Sequence, residues 1–160
     1  MVTYEEFRTP FGVVKSSLKG QGHHSRIRSY DDLGRIYSIR KRQKRNIAID
    51  VERYSQEIPE IFDHFRTEDE DPIHFFTKWT ISEGISKLNN EPILIRLKKR
   101  DLHMFPHGKK FRFWEEGNEY SGITCLFKKE KILISIIEKI CPPNQKISDP
   151  KDANASPRLS

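Results

Sequence analysis

Residues 35–52, RIYSIRKRQKRNIAIDVE, decide our prediction of the fold. Ile36 and Ile39 come first, and Ile47, Ile49 and Val51 follow with a period of two. That period is typical of a strand with one buried face. The stretch therefore predicts a β-hairpin over residues 36–51. Its tip would carry five cations, namely Arg40, Lys41, Arg42, Lys44 and Arg45.

The segment after this hairpin favours helices. Apolar residues in 54–66 are spaced as on one short helical face. Asp71 followed by Pro72 is a typical helix start, because Asp caps the first turn and Pro tolerates its first position. Residues 73–81 fit a strand as well as a helix, since they are rich in aromatic and β-branched side chains. Residues 82–89 are better as a helix that ends at Asn89-Asn90.

From Pro92 onward the pattern indicates strands. We predict strands over residues 93–97, 109–115, 120–127 and 132–137, the last three forming an antiparallel meander. The last segment, extended to residue 140, also fits a helix, but its β-branched residues favour a strand. The predicted fold class is α+β: a mainly antiparallel sheet with one or two short covering helices. The predicted organisation is a flexible N-terminal arm over residues 1–27, a single globular domain over 28–141 and a disordered tail over 142–160.

Charge is segregated along the chain, which has a formal net charge of +6. Residues 19–45 hold nine Lys or Arg against two Asp, and residues 50–71 hold nine acids against two Arg. Residues 96–112 then hold seven Lys or Arg against one Asp. Blocks of this kind indicate separate charged surfaces, although solvated faces without a ligand give the same pattern.

The sequence offers no catalytic motif on which an enzyme assignment could rest. Its glycines match neither a P-loop nor a dinucleotide fingerprint, and its two cysteines form no CxxC pair. His103 and His107 have the spacing of metal ligands on a helix, but Pro106 and Gly108 favour a loop. We therefore predict no catalytic residue, metal or cofactor. A metal nuclease is a third hypothesis, and it would require Asp50, Glu52, Glu91 and Lys98 to meet across adjacent strands.

The basic blocks predict a non-enzymatic nucleic-acid-binding protein that prefers RNA or single strands. Clustered cations release counterions from phosphates, and aromatic side chains among them stack on unpaired bases. Phe111 and Phe113 alternate with Arg112 and Trp114, so the phenylalanines are expected in the core while Trp114 shares a face with Arg112. The predicted contact residues are Arg40, Lys41, Arg42, Lys44, Arg45, Lys98, Lys99, Arg100, Lys109, Lys110, Arg112 and Trp114.

The alternative is a structural or assembly protein, such as a small viral matrix-type or accessory component. Opposite charge blocks would then pair between copies in a homo-oligomer, while the basic surface meets an anionic membrane or a nucleoprotein. The sequence contains no apolar run long enough to span a bilayer, and its N-terminus has no apolar signal region. We therefore expect an intracellular protein, cytoplasmic or nuclear. The basic run at residues 40–45 also fits a nuclear import signal.

Overall fold

The computed structural model of the chain describes residues 5–18, 26–40, 45–55, 57–99 and 102–141. Two antiparallel sheets of four strands each are combined with two α-helices, so the predicted α+β class is confirmed. In chain order the elements are β1 (Glu5–Thr9), β2 (Gly12–Ser17), β3 (Arg26–Tyr30), β4 (Ile36–Arg40), β5 (Asn46–Arg53), a 3-10 turn (Glu60–Phe62), α1 (Pro72–Asn89), α2 (Ile93–Leu97), β6 (Phe111–Glu115), β7 (Asn118–Phe127) and β8 (Ile132–Ile140).

The strands β4 and β5 form where the sequence predicts strands, but the predicted hairpin between them is wrong. β4 lies between β2 and β3 in a sheet of order β1-β2-β4-β3, which we call the N-terminal sheet. β5 pairs with β8 in a second sheet of order β5-β8-β7-β6, the C-terminal sheet. Residues 41–44, which include Lys41, Arg42 and Lys44, lie outside the described residues.

The C-terminal sheet is the middle of three layers. One of its faces packs against the N-terminal sheet, with Ile134 and Ile136 of β8 in one apolar cluster with Val14 and Tyr37. The opposite face packs against α1. Because side chains alternate along a strand, β8 is buried on both faces, from Ile132 to Ile137. The strand β8 therefore contributes buried side chains to the core on each side of the sheet.

Within the predicted flexible arm over residues 1–27, the described residues form strands, whereas residues 1–4 and 19–25 lie outside the described residues. β1 and β2 form a hairpin in which Phe7 pairs with Val14, and both of these side chains are buried. The connecting turn brings Gly12 to a φ of 132°, a conformation that strongly favours glycine. The predicted tail over residues 142–160 lies outside the described residues.

The helix α1 begins and ends as the sequence predicts, and it includes residues 73–81, which the sequence left open between strand and helix. The Asp71 side chain accepts hydrogen bonds from the backbone N–H groups of Ile73 and His74, at 2.9 and 3.2 Å. Asn90 ends the helix in the left-handed region. Midway along α1, Gly84 allows close approach to the sheet, because a Cβ there would lie 3.0 Å from the Ile137 Cδ1 atom.

Two local predictions are wrong. The described residues of 54–66 form turns, bends and the 3-10 turn Glu60–Phe62 instead of a helix, and Ile61 remains exposed. Residues 93–97 form the short helix α2 instead of a strand. The helical turn brings Arg96 and Leu97 together into the interior while Leu94 and Ile95 stay exposed.

Asp31 connects the two sheets. Its buried carboxylate accepts hydrogen bonds from the Leu33 and Arg35 backbone N–H groups, the Tyr37 hydroxyl and the Arg53 guanidinium, at 2.8 to 3.0 Å. Burial and the neighbouring Asp31 charge raise the pKa of Tyr37 to about 12. Since Arg53 belongs to β5, this network ties the β3–β4 turn to the C-terminal sheet.

The predicted meander of β6, β7 and β8 is confirmed, with turns at Glu116-Gly117 and at residues 128–131. Both central turn residues of the first have positive φ, as tight hairpins require. Within the described ranges, no helix combines the length and apolar character needed to cross a bilayer.

Candidate nucleic-acid interface

The edge strand β6 separates its cations from its phenylalanines. Phe111 is buried and Phe113 half-buried in the cluster beneath α1, as the period of two predicts. Lys110, Arg112 and Trp114 alternate with them and point to the opposite face. Trp114 is 69% exposed and the Arg112 side chain 67% exposed, so the N-terminal sheet leaves this corner open.

The register of the C-terminal sheet extends this corner across all four strands. Arg112 lies opposite Ser121 of β7, and Ser121 lies opposite Glu138 of β8. Glu138 in turn is opposite Ile47 of β5. Opposed residues share a face, and therefore these side chains form one row across the sheet.

A second row runs beside the first and contains the exposed indole. Trp114 lies opposite Glu119, which is opposite Ile140. Arg45, just before β5, reaches the same face, since its Nε lies 3.5 Å from the Glu138 carboxylate. Sheet order thus brings Arg45, Arg112 and Trp114 together from parts of the chain nearly seventy residues apart. We call the open face formed by both rows the sheet corner.

Carboxylates hold the two arginines over the sheet corner. Besides the Arg45–Glu138 pair, the Arg112 Nε lies 2.5 Å from Glu119. Both acids are mostly buried, whereas both guanidiniums are largely exposed. A guanidinium carries five N–H donors, so a single carboxylate does not saturate it. Each arginine is therefore oriented by the protein and still able to donate to an anion from solvent.

The remaining predicted contact residues lie on several elements. Lys110 and Lys109 lie just before β6, where Lys110 shares the face of Arg112 and its Nζ is 5.6 Å from the Phe11 ring centroid. Arg40 is exposed at the end of β4, in the other sheet. Lys98 and Lys99 follow α2 and line a cleft, and the Lys99 Nζ lies 2.7 Å from Glu116 in the turn after β6. Arg100 lies outside the described residues.

Sequence reasoning missed the role of Arg96. Its side chain is only 2% exposed and lies between two acids. Its Nη1 is 3.1 Å from the Glu91 carboxylate, and its Nη2 pairs with Glu115 at the end of β6. Glu115 also lies 3.2 Å from His103. The network fastens α2 to the strand that carries Trp114. From the sequence, Arg96 was counted as part of a basic surface, because a count of charges does not reveal which side chains are buried.

The metal-nuclease hypothesis placed four residues together, and the structure separates them. Glu91 pairs with Arg96, and Lys98 lines the cleft, whereas Asp50 and Glu52 of β5 face α1. Lys87 of α1 lies 2.7 Å from Asp50 and supplies the local cation. Across the described residues, no group of three or more His, Cys, Asp or Glu is placed to hold a metal ion.

Burial makes the carboxyl groups of Asp50, Glu52 and Glu83 weaker acids than usual. The pKa of Glu52 is raised to about 8, first by burial and then by the charge of Asp50. Burial also raises the pKa of Asp50 and of Glu83, and Lys87 opposes both shifts. One Asp50 oxygen accepts from Lys87 and Ser29, while the other is buried and has no hydrogen-bond partner among the described residues. Because these carboxyl groups bind protons more tightly in the folded state, they make the stability of the fold depend on pH.

The two histidines with metal-ligand spacing lie in the loop before β6, as Pro106 and Gly108 predicted. His103 contacts Glu115, and the His107 Nε2 lies 2.8 Å from the Thr77 hydroxyl of α1. Burial lowers the pKa of His107. Both side chains therefore have structural partners on different elements.

Comparison of the chain with protein-family descriptions, with curated proteins and with solved structures gives no match. The functional proposal below is therefore argued from the residues alone.

Proposed function

We propose that this protein binds single-stranded nucleic acid, preferably RNA, at the sheet corner. The observation that carries the proposal is the convergence of Trp114, Arg112 and Arg45 on one open face of an antiparallel sheet. The exposed indole of Trp114 keeps a large apolar ring in contact with water. Stacking against an unpaired base removes that apolar surface from water and requires no particular sequence.

The positions of the cations suit a strand that crosses the sheet. Arg112 lies two residues from Trp114 on β6, which places their Cα atoms roughly 7 Å apart. Arg45 lies across the sheet at the other edge. A base stacked on the indole would thus have Arg112 beside it for a flanking phosphate, and Arg45, three strand spacings or roughly 14 Å away, would contact a phosphate farther along the strand. Duplex RNA offers no exposed base faces for stacking, so single strands are preferred.

Fluorescence anisotropy of a labelled twelve-nucleotide RNA, measured over a salt series, tests the proposal. Trp114→Ala should raise the Kd roughly 5- to 150-fold, since stacking contributes about 1–3 kcal/mol per base. Arg112→Gln should weaken binding and lower the salt slope by about 0.7, the loss of one phosphate contact. Matched controls are Tyr30→Ala, an exposed aromatic on β3, and Arg8→Gln, an exposed cation on β1.

Two results would overturn the proposal. One is the absence of RNA binding at low salt, or binding that Trp114→Ala and Arg112→Gln leave unchanged relative to the controls. The other is binding of acidic vesicles, with RNA ignored, that depends on the same two residues. The latter result would favour the assembly hypothesis, in which the basic surface meets an anionic membrane.

A further inference from the structure

We infer a second anion site, separate from the sheet corner, that accepts a nucleoside phosphate. It is a cleft of about 770 Å³ between the segment after the 3-10 turn, α1 and α2. A cleft of this volume is within the range of small-molecule sites in proteins. Lys98 and Lys99, which the sequence assigned to the nucleic-acid surface, line this cleft.

Four cations converge on the cleft from three separate segments. Arg66 follows the 3-10 turn, Lys78 belongs to α1, and Lys98 and Lys99 follow α2. The described lining residues include no carboxylate. Three of these cations are paired with acids beside the cleft, so the positive potential that a concave site focuses comes mainly from Lys98. An anion in the cleft would pair with that charge.

The acids that pair with these cations differ in how firmly they hold them. Lys78 pairs with Glu70, whose side chain is almost fully buried. Arg66 lies 2.8 Å from Asp63 and Lys99 lies 2.7 Å from Glu116, and both of these acids are well exposed. Within the described chain, Lys98 is exposed and has no ion-pair partner. Lys98 is therefore the cation best able to contact an incoming anion without breaking an existing pair.

The remaining lining favours a nucleoside phosphate over a bare inorganic anion. Phe65, Leu97 and Leu102 contribute apolar surface beside the cations. A ligand with a flat aromatic base and an anionic phosphate matches this mixture, because the base packs on apolar carbon while lysines and arginine contact the phosphate. The phosphate could belong to a free nucleotide or to the 5′ end of a strand, and the recognition chemistry is the same.

Titration with a fluorescent (mant) ADP, with unlabelled pyrophosphate as competitor, tests the inference. Lys98→Glu should raise the Kd about tenfold or more, because it replaces a charge-assisted contact by repulsion. Arg66→Glu should act in the same direction. Lys129→Glu, the same charge change on the exposed β7–β8 turn, should leave the affinity unchanged. Trp114→Ala should also leave it unchanged, which separates this site from the sheet corner.

A 5′-phosphorylated RNA and its 5′-hydroxyl counterpart form the second arm. Preference for the phosphorylated strand that is lost in Lys98→Glu would identify a strand end as the source of the phosphate, whereas mant-ADP binding without such a preference would identify a free nucleotide. The inference fails if neither mant-ADP nor the 5′-phosphate is bound at low salt in a Lys98-dependent way. It also fails if Lys129→Glu weakens binding as much as Lys98→Glu does.

Discussion

Glu52→Gln is expected to remove much of the decrease in stability that the protein undergoes between pH 5 and pH 7. Burial and the charge of Asp50 raise the pKa of Glu52 from its ordinary 4.5 to about 8. A carboxyl with a raised pKa binds more protons in the folded state than in the unfolded state. Its contribution is therefore fully present below pH 4.5 and is lost as the pH rises toward 8.

The magnitude follows from the two pKa values. Between pH 5 and pH 7 the unfolded carboxyl ionises almost completely while the folded one stays mainly protonated, which lowers the free energy of unfolding by at most about 2.5 kcal/mol. Glutamine keeps the shape and polarity of the protonated acid but cannot ionise. Asp50 and Glu83, whose pKa values are also raised, contribute a residual dependence of the same sign in the variant.

Urea unfolding at pH 5, 6, 7 and 8, followed by circular dichroism, measures this difference. The variant and the wild type should be similar at pH 5, and the variant should be more stable at pH 7. Glu57→Gln removes an exposed carboxyl and serves as the control. Parallel pH profiles of Glu52→Gln and wild type would refute the reasoning, as would a wild type that gains stability over the variant as the pH rises.

Two further predictions concern stability and are measured by the same unfolding assay. Arg96→Met should lower the free energy of unfolding by about 3–5 kcal/mol, because Glu91 and Glu115 lose their shared cation while the buried volume remains filled; a loss below about 1 kcal/mol would contradict this role. Gly122→Ala should cost about 1–3 kcal/mol or more, since the new Cβ would lie 2.5 Å from a β8 carbonyl oxygen. The Cβ added by Gly84→Ala meets no backbone atom but the Ile137 side chain, at 3.0 Å from Cδ1 and 3.2 Å from Cγ1, and should cost less, so an equal cost would contradict the steric argument.

Strand existence was predictable where apolar and polar residues alternate, but strand pairing was not. The period of two in β5 is local to the chain, whereas its partner β8 begins more than eighty residues later. The short basic connection made a hairpin the simplest interpretation. It failed because β4 buries its apolar residues against one face of the C-terminal sheet, while β5 forms the edge of that sheet. Periodicity defines which face is buried and contains no information about which strand lies alongside.

The structure of short segments was not predicted correctly, for a different reason. Residues 93–97 are apolar at four of five positions, and so brief a run fits a strand and a helical turn equally well. The deciding interaction is the burial of Arg96 between two acids, one of which lies on β6. In the N-terminal hairpin, only Phe7, Val14 and Ser16 are buried, too few to show a period.

The candidate site shows that a count of charges along the sequence does not identify which cations share a surface. The basic block over residues 96–112 counts as one surface in the sequence, yet in the structure it divides among a buried ion-pair network, the cation-lined cleft and the sheet corner. The outward placement of Arg112 and Trp114 follows from strand alternation and was predictable. Their placement on one face with Arg45 follows from the order β5-β8-β7-β6, because the antiparallel register of that order aligns the start of β5 with the end of β6 at one end of the sheet. A surface assembled by long-range pairing can be recognised from sequence only after the pairing is known, and for this reason the variants at Trp114 and Lys98 test two sites instead of one.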